Sequence, residues 1–425
     1  MAEPAPEPSV PPDSGAPPEL VKPPGSSGPP GSLIELTAGP WGNGGISVCR
    51  QGDGPVLFLT GALPGERVTA QITARAKSYW RAQTVSVLAP SPDRVEPPWP
   101  LGAQTGAADW LHVAPAAARA AKAQVLRDQL SHGAGLRPDF EVEPLGDGSP
   151  LGWRTKIELV VDQAGRAGMH RSTSHVFEPL TDMPLAVPAI RALDIFSRRW
   201  QPGSRLVAVA PSAGKAFCVD DAAAQCRRRR EVVRLAGQVY HYELAASGFW
   251  QSLRLAPEML VTAVLEALRP TSGQRIWELY AGAGLFTLPL AAAGARVSAV
   301  EGARQAVKDL RGNLRRAGLE LEEIEHASAA KALRSGFGRS GRDGARSASP
   351  VAVLLDPPRA GAGRAVSEAL IAAAPRRLVY LSCEPSTLAR DLGFWTAAGY
   401  RLTGLRAFDL FPGTHHVEAL ATLTR

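Results

Sequence analysis

Cysteine is scarce in this chain: 425 residues hold four thiols, Cys49, Cys218, Cys226 and Cys383, with no close-spaced pair among them. That spacing speaks against a disulfide framework and a cysteine-rich metal site, and it fits reduced thiols. Long apolar runs are missing as well, since none approaches the roughly 18 residues that a membrane-spanning helix needs. The N-terminus lacks the basic start and apolar core of a signal peptide. A soluble, cytoplasmic protein, taken as a monomer, is the expectation. Charge is only mildly one-sided, at +7, which favours a polyanionic partner such as nucleic acid but says little about fold.

The chain is long enough for two or three domains. Residues 1–32 are dominated by Pro, Gly, Ser, Ala and Glu and cannot bury enough surface to offset the entropy of ordering, so a disordered tail is expected there. From 33 to 92, short alternating runs such as Ile46-Ser47-Val48, Val56-Leu57-Phe58-Leu59 and Arg67-Val68-Thr69-Ala70-Gln71-Ile72 are punctuated by Gly, the pattern of a small β-barrel. Residues 93–246 read as a central α+β domain with helices at Pro115–Leu130 and Pro188–Arg199 and strands near Arg154–Val161 and Arg205–Ala210; their pairing does not follow from the pattern. From 247 to 425, near-continuous apolar strands alternate with helices, which predicts a doubly wound α/β sheet. A Gly-, Ser- and Arg-rich stretch, 327–350, reads as a long mobile loop within it.

Three motifs in that last region carry chemistry. Glu278-Leu279-Tyr280-Ala281-Gly282-Ala283-Gly284 follows a strand and opens a helix, so its glycines let the backbone approach a ligand closely. A dinucleotide fingerprint wants a third Gly where Thr287 stands. Glu301, ending the next strand, is placed to accept hydrogen bonds from ribose hydroxyls, and the combination suits S-adenosylmethionine better than a nicotinamide cofactor. Asp356-Pro357-Pro358-Arg359-Ala360-Gly361 and Val379-Tyr380-Leu381-Ser382-Cys383-Glu384-Pro385 each lie at a strand mouth, and Glu418 enters the last strand. A lone strand-end cysteine is ordinarily an inert small hydrophobe, but Ser382, Glu384 and Pro385 around it reverse that expectation. A thiol and a carboxylate on opposite sides of a flat ring are what methylation of a pyrimidine carbon 5 requires: the thiolate adds at carbon 6, and a base then removes the carbon-5 proton. The thiol needs help to ionise, which the positive N-terminus of a helix starting near Pro385 could supply. His415 and His416 alternate faces if the strand extends that far, so they do not suggest a metal pair.

These motifs, with Phe249-Trp250-Gln251 and His416-Val417-Glu418, make the stretch from about 247 to 425 resemble the RNA uracil-5-methyltransferase family. Gly61-Ala62-Leu63-Pro64-Gly65-Glu66-Arg67-Val68 resembles the central turn of a TRAM domain, an oligonucleotide-fold RNA-binding barrel, and this fits the ribosomal-RNA branch better than the tRNA branch. The resemblance implies a class I methyltransferase sheet at the C-terminus, with cofactor contacts from Gln251, Tyr280, Glu301 and Asp356, Cys383 as nucleophile and Glu418 as base. The chain departs from the family pattern at Leu253, Leu285 and Glu384, where relatives often carry Asn. Ribosomal members commonly hold an iron–sulfur cluster on four cysteines; the matching stretch Thr105–His112, with Met183 near the last ligand position, has none, so no cluster and no metal are expected and packing alone must hold this region. Basic runs at Arg227–Arg230 and at Arg304, Lys308, Arg311 and Arg315 read equally as phosphate contacts or solvated faces, and Trp41 and Trp80 as base-stacking or barrel core. Competing readings are a tRNA uridine-5 methyltransferase, an RNA cytosine-5 methyltransferase, disfavoured because no second cysteine lies at the Asp-Pro-Pro turn, and an RNA-binding protein without catalysis.

Overall fold

The computed structural model describes residues 31–50, 54–172, 174–235, 237–338 and 350–425. Almost all of the expected tail, and the 339–349 part of the expected loop, lie outside these residues. The chain divides into two compact units: one holds the described residues up to Gly42 and those from Ile46 to Pro92, the other Asn43–Gly45 and Asp93–Arg425. Among the described residues no helix is long and apolar enough to cross a membrane.

The first unit is a six-stranded sheet with Leu33–Thr37 at one end, next to Arg67–Arg75, then Tyr79–Ala89, Val56–Thr60, Ile46–Cys49 and the short Trp41–Gly42. Alternation puts Leu57, Leu59, Val68, Ala70 and Ile72 into its own core, as expected of the small barrel. Trp41 is buried, and Trp80 packs against that core with the Arg75 guanidinium 3.9 Å from its ring. Base stacking therefore fails as a role for Trp41, which is core, and the Trp80 ring already carries a guanidinium.

The second unit is built on an eight-stranded sheet, in the order Glu323–His326, Arg296–Glu301, Arg275–Leu279, Ala352–Leu355, Arg377–Ser382, Glu418–Thr424, Arg401–Asp409 and Val142–Pro144. The first five strands are parallel, and Glu418–Thr424 runs antiparallel to both its neighbours. Both faces are covered, so the strands are apolar throughout: Trp277, Leu279, Val353, Leu355 and Tyr380 pack on one side, and Ile276, Val297, Leu354, Val379 and Leu381 on the other. Helix Arg304–Ala317 buries Val307, Leu310 and Leu314 on the sheet and leaves Arg304, Lys308, Arg311 and Arg315 exposed on its other face.

Local expectations fail at four places. The helix expected over Pro188–Arg199 stops at Arg191, and Asp194 takes a left-handed φ of 57° that a helix cannot contain. The stretch read as a loop after 326 carries the helix Ala329–Ser335, N-capped by the Ser328 side chain, and the strand Glu323–His326 precedes it. The arginine run sits in a hairpin, Arg228–Leu235 with Gln238–Ala245, where Arg228 pairs with Asp309 at 2.7 Å and buried Arg229 donates to the Gly248 carbonyl at 2.9 Å. Those two guanidiniums are tied up within the chain rather than held out for phosphate. Finally, in the stretch Thr105–His112, Ala107, Ala108 and Leu111 pack with Met183 in one apolar cluster, but Asp109 also pairs with His415 at 2.6 Å, so packing is not all that holds it.

Candidate active site

All four parallel strands that matter end at one rim of the sheet, and the side chains singled out from the sequence collect there. Strands Arg377–Ser382 and Glu418–Thr424 pair as far as Ser382 opposite Ala419. One residue further out lie Cys383 and Glu418, side by side at the rim, with Asp356 one residue past the end of the adjoining strand Ala352–Leu355. Glu418 is buried and Cys383 is half-buried.

This rim concentrates negative charge in a place with little water. Burial and the nearby Asp356 carboxylate push Glu418 well above the usual carboxylate range. Burial and the Glu301 carboxylate push Asp356 up to about 7. Glu278, buried on the same strand as the glycine turn, is pushed up to about 8, chiefly by burial. The thiol of Cys383 is pushed up to about 12 by burial and by the Glu418 carboxylate, with Arg359 working in the opposite direction. The expected help from the helix N-terminus does not arrive. Helix Pro385–Ala397 is N-capped by the Glu384 carboxylate, which accepts hydrogen bonds from the Ser386 N–H at 3.5 Å and the Ser386 hydroxyl at 2.9 Å, so a negative charge already occupies that end.

The glycine turn is braced from three sides. Glu301 accepts from the Gly282 N–H at 2.8 Å and the Ala303 N–H at 2.6 Å. The Asn313 amide donates to the Ala283 carbonyl at 2.9 Å. The Tyr242 hydroxyl donates to the Leu285 carbonyl at 2.9 Å, while its ring lies 5.0 Å from Trp250 and so links this turn to the loop that carries buried Gln251. Gly282 (φ 56°) and Gly284 (φ 97°) both need left-handed backbone. A Cβ on Gly282 would meet nothing within 4 Å, so open space lies over it, whereas one on Gly284 would strike Leu310 at 2.6 Å. Tyr280 holds a φ of 67°, strain that persists only where the surroundings fix it.

S-adenosylmethionine fits these residues on three counts. Space lies over Gly282, the Glu278 carboxyl is fully buried beside the Thr287 hydroxyl, and the acidic side chains of Glu278, Glu301 and Asp356 act on one another near the turn, a setting that favours a cation. Tyr280, Glu301 and Asp356 stand around the turn and Gln251 on the loop tied to it. Among the described residues no group of three or more His, Cys, Asp or Glu could hold a metal ion.

Several positioning residues carried no visible sequence signal. Asp391, fully buried, accepts from the Tyr380 hydroxyl at 2.8 Å and the Ala362 N–H at 2.7 Å and pairs with Arg390 at 2.8 Å. Arg390 in turn donates to the Ala360 carbonyl at 2.9 Å, and the Thr387 hydroxyl to that of Arg359 at 3.0 Å, so helix Pro385–Ala397 clamps the Pro-Pro-Arg loop. His416 accepts from the Arg359 guanidinium at 2.8 Å through Nε2, which requires a neutral ring. Burial, the positive charges of His415 and Arg359 and that of Lys122 hold His416 down at about 3, against the pull of Asp109. The strand starts only at Glu418, so His415 and His416 do not alternate faces; their rings lie 4.0 Å apart, with His415 Nδ1 on Asp109.

A model of the tRNA (uracil-5-)-methyltransferase family matches residues 209–425. The chain is 36% identical to an uncharacterized RNA methyltransferase of Streptomyces avermitilis over 92% of its own length and 97% of the relative's. It is 32% identical to a 23S rRNA (uracil(1939)-C(5))-methyltransferase of Alkalilimnicola ehrlichii, covering 88% of this chain and 92% of that one. In fold it is similar to the Pyrococcus abyssi tRNA (uracil-54, C5)-methyltransferase solved with S-adenosyl-L-homocysteine, at a TM-score of 0.65 and 20% identity, over 92% of this chain and 100% of that chain.

Proposed function

The chain belongs to the tRNA (uracil-5-)-methyltransferase family, and on that premise we propose that it methylates carbon 5 of a uridine in ribosomal RNA, with S-adenosylmethionine as cofactor, Cys383 as nucleophile and Glu418 as base. The observation that carries this reading is the placing of Cys383 and Glu418 side by side, one residue beyond the last paired residues of adjacent strands. The ribosomal substrate is supported by the likeness to the 23S rRNA enzyme and by the N-terminal barrel. The cytoplasm is the proposed compartment.

Cys383 Sγ adds to carbon 6 of the uracil, and the ring's electrons move toward carbon 5 and the adjoining carbonyl oxygen. The thiol gives up its proton only with local help, because burial holds it so high; Arg359 stabilises the anion, and Asp356 takes the proton, which leaves Glu418 free for the later step. S-adenosylmethionine, when bound, supplies an electrophilic methyl carbon. Glu418 then removes the carbon-5 proton, the electron pair re-forms the ring double bond, and the carbon–sulfur bond breaks to release Cys383. Its raised affinity for protons suits Glu418 to that step. Gln251, Tyr280, Glu301 and Asp356 hold the cofactor. Phe249, 76% exposed two residues before Gln251, offers a ring on which a displaced base can stack.

The test is methyl transfer from labelled cofactor to total RNA of a strain lacking this gene, read as 5-methyluridine and mapped by position. Wild-type protein should modify one ribosomal uridine and Cys383→Ala none. Product on tRNA alone would move the substrate to tRNA; equal product with Cys383→Ala would sink the nucleophile.

A further inference from the structure

The opposite rim of the same sheet holds an open groove of about 670 Å³, lined by Arg269, Arg376, Arg377, Thr271, Ser272 and Thr424 among others. It lies where strands Arg275–Leu279, Ala352–Leu355 and Arg377–Ser382 begin and Glu418–Thr424 ends, a strand's length of about 16 Å from the catalytic rim at about 3.3 Å per residue. We infer that this groove binds the phosphodiester backbone of the substrate RNA, away from the reacting nucleotide.

Three guanidiniums share the groove with hydroxyl groups, and among the described residues no Asp or Glu side chain lines it. Arg377 is fixed by donating to the carbonyls of Ala267 at 3.0 Å and Leu268 at 2.8 Å. Arg269 caps helix Ala256–Leu268 in a left-handed conformation, φ 49°, so its backbone is fixed as well. Among the described residues no carboxylate pairs with the side chain of Arg269 or Arg376, and both residues are exposed. Among the described residues no Asp or Glu side chain offsets the arginine repulsion there, and the fork of N–H donors on each guanidinium matches phosphate oxygens. By contrast, Arg228 and Arg406 elsewhere on this unit each have carboxylate partners. An open groove suits a passing strand better than a small molecule enclosed on all sides.

The inference rests on RNA being the substrate and not on the roles of Cys383 and Glu418. Its test is the affinity of the full chain for a long fluorescent ribosomal RNA fragment, measured against salt, for wild type and Arg269→Gln/Arg376→Gln. Losing two single-strand phosphate contacts lowers the slope of log affinity against log salt by about 1.4, so the wild type's advantage shrinks about sevenfold between roughly 50 and 200 mM. Methyl transfer to a uridine hairpin too short to reach the groove should stay at the wild-type rate, and Arg269→Lys/Arg376→Lys should bind nearly as wild type. An unchanged slope in the Gln variant would overturn the groove alone. Loss of inorganic phosphate binding with RNA affinity intact would overturn it too, by making the occupant a free anion. Wild-type protein that binds no RNA would sink the groove and the proposed function together.

Discussion

At one rim of the large sheet, Asp356 and Glu418 act on the half-buried Cys383, and Glu278 on Asp356, each pushed toward its protonated form by burial; at the other, Arg269, Arg376 and Arg377 line an open groove with no Asp or Glu side chain among the described residues. The same strands serve both rims, so the difference lies in what each end excludes. Burial at the first rim makes every charge costly and raises each acid's affinity for a proton, which suits groups proposed to move protons. The opposite rim stays hydrated, where like charges are cheap to keep and gain from a polyanion. On the proposed readings, the desolvated rim does the chemistry and the hydrated one holds a strand.

Deleting the thiol separates the two rims most sharply. Cys383→Ala should lower 5-methyluridine formation by more than about a thousandfold while the salt slope of RNA binding keeps its wild-type value. A change in both would mean that the rims are not independent. Next comes the clamp on the Pro-Pro-Arg loop: Asp391→Ala strands the Tyr380 hydroxyl, the Ala362 N–H and Arg390, and should cost about 3 kcal/mol in denaturant unfolding. In the fraction still folded, kcat should fall and long-RNA affinity should not. Asp391→Asn should restore most of the stability.

The sheet was legible because buried parallel strands are apolar from end to end and the Gly, Asp-Pro-Pro and Ser-Cys turns stop them at recognisable places. The proposed site residues could be picked out for the same reason: Tyr280, Asp356, Cys383 and Glu418 flank the ends of strands whose pairing sets them at one rim. What the pattern hid depends on contacts distant in sequence. Strand Val142–Pro144, from the central region, joins the methyltransferase sheet beside Arg401–Asp409, and buried Lys122 pairs with Asp409 at 2.6 Å from 287 residues away. Nothing in Asp391 itself announces that it holds a loop 29 residues earlier. The high thiol was also hidden, because a helix N-terminus beside Cys383 suggests the opposite until Glu384 is seen capping it.

That thiol gives a finer probe. Alkylation of the Cys383 peptide by iodoacetamide, followed by mass spectrometry, should rise about tenfold per pH unit from roughly pH 7 to 10 without levelling off. His416→Ala, which frees Arg359 from its 2.8 Å partner, should slow it further at each pH; a plateau near neutral pH would mean that the rim is less desolvated than described. The smallest effect concerns acid. His416 titrates at about 3 in the folded chain against an ordinary 6.5, so between those values only the unfolded chain takes up its proton, and stability falls as pH drops through that window. His416→Gln, with Arg359, His415, Lys122 and Asp109 still facing it, should flatten the fall in melting temperature over that range.

The pairing of Cys383 with Glu418 is tested most directly by trapping. Glu418→Gln incubated with cofactor and uridine-containing ribosomal RNA should accumulate a denaturant-resistant protein–RNA adduct, with the methylated base carried on the Cys383 peptide. No adduct, or an equal amount when Cys383 is also replaced by Ala, would contradict the account.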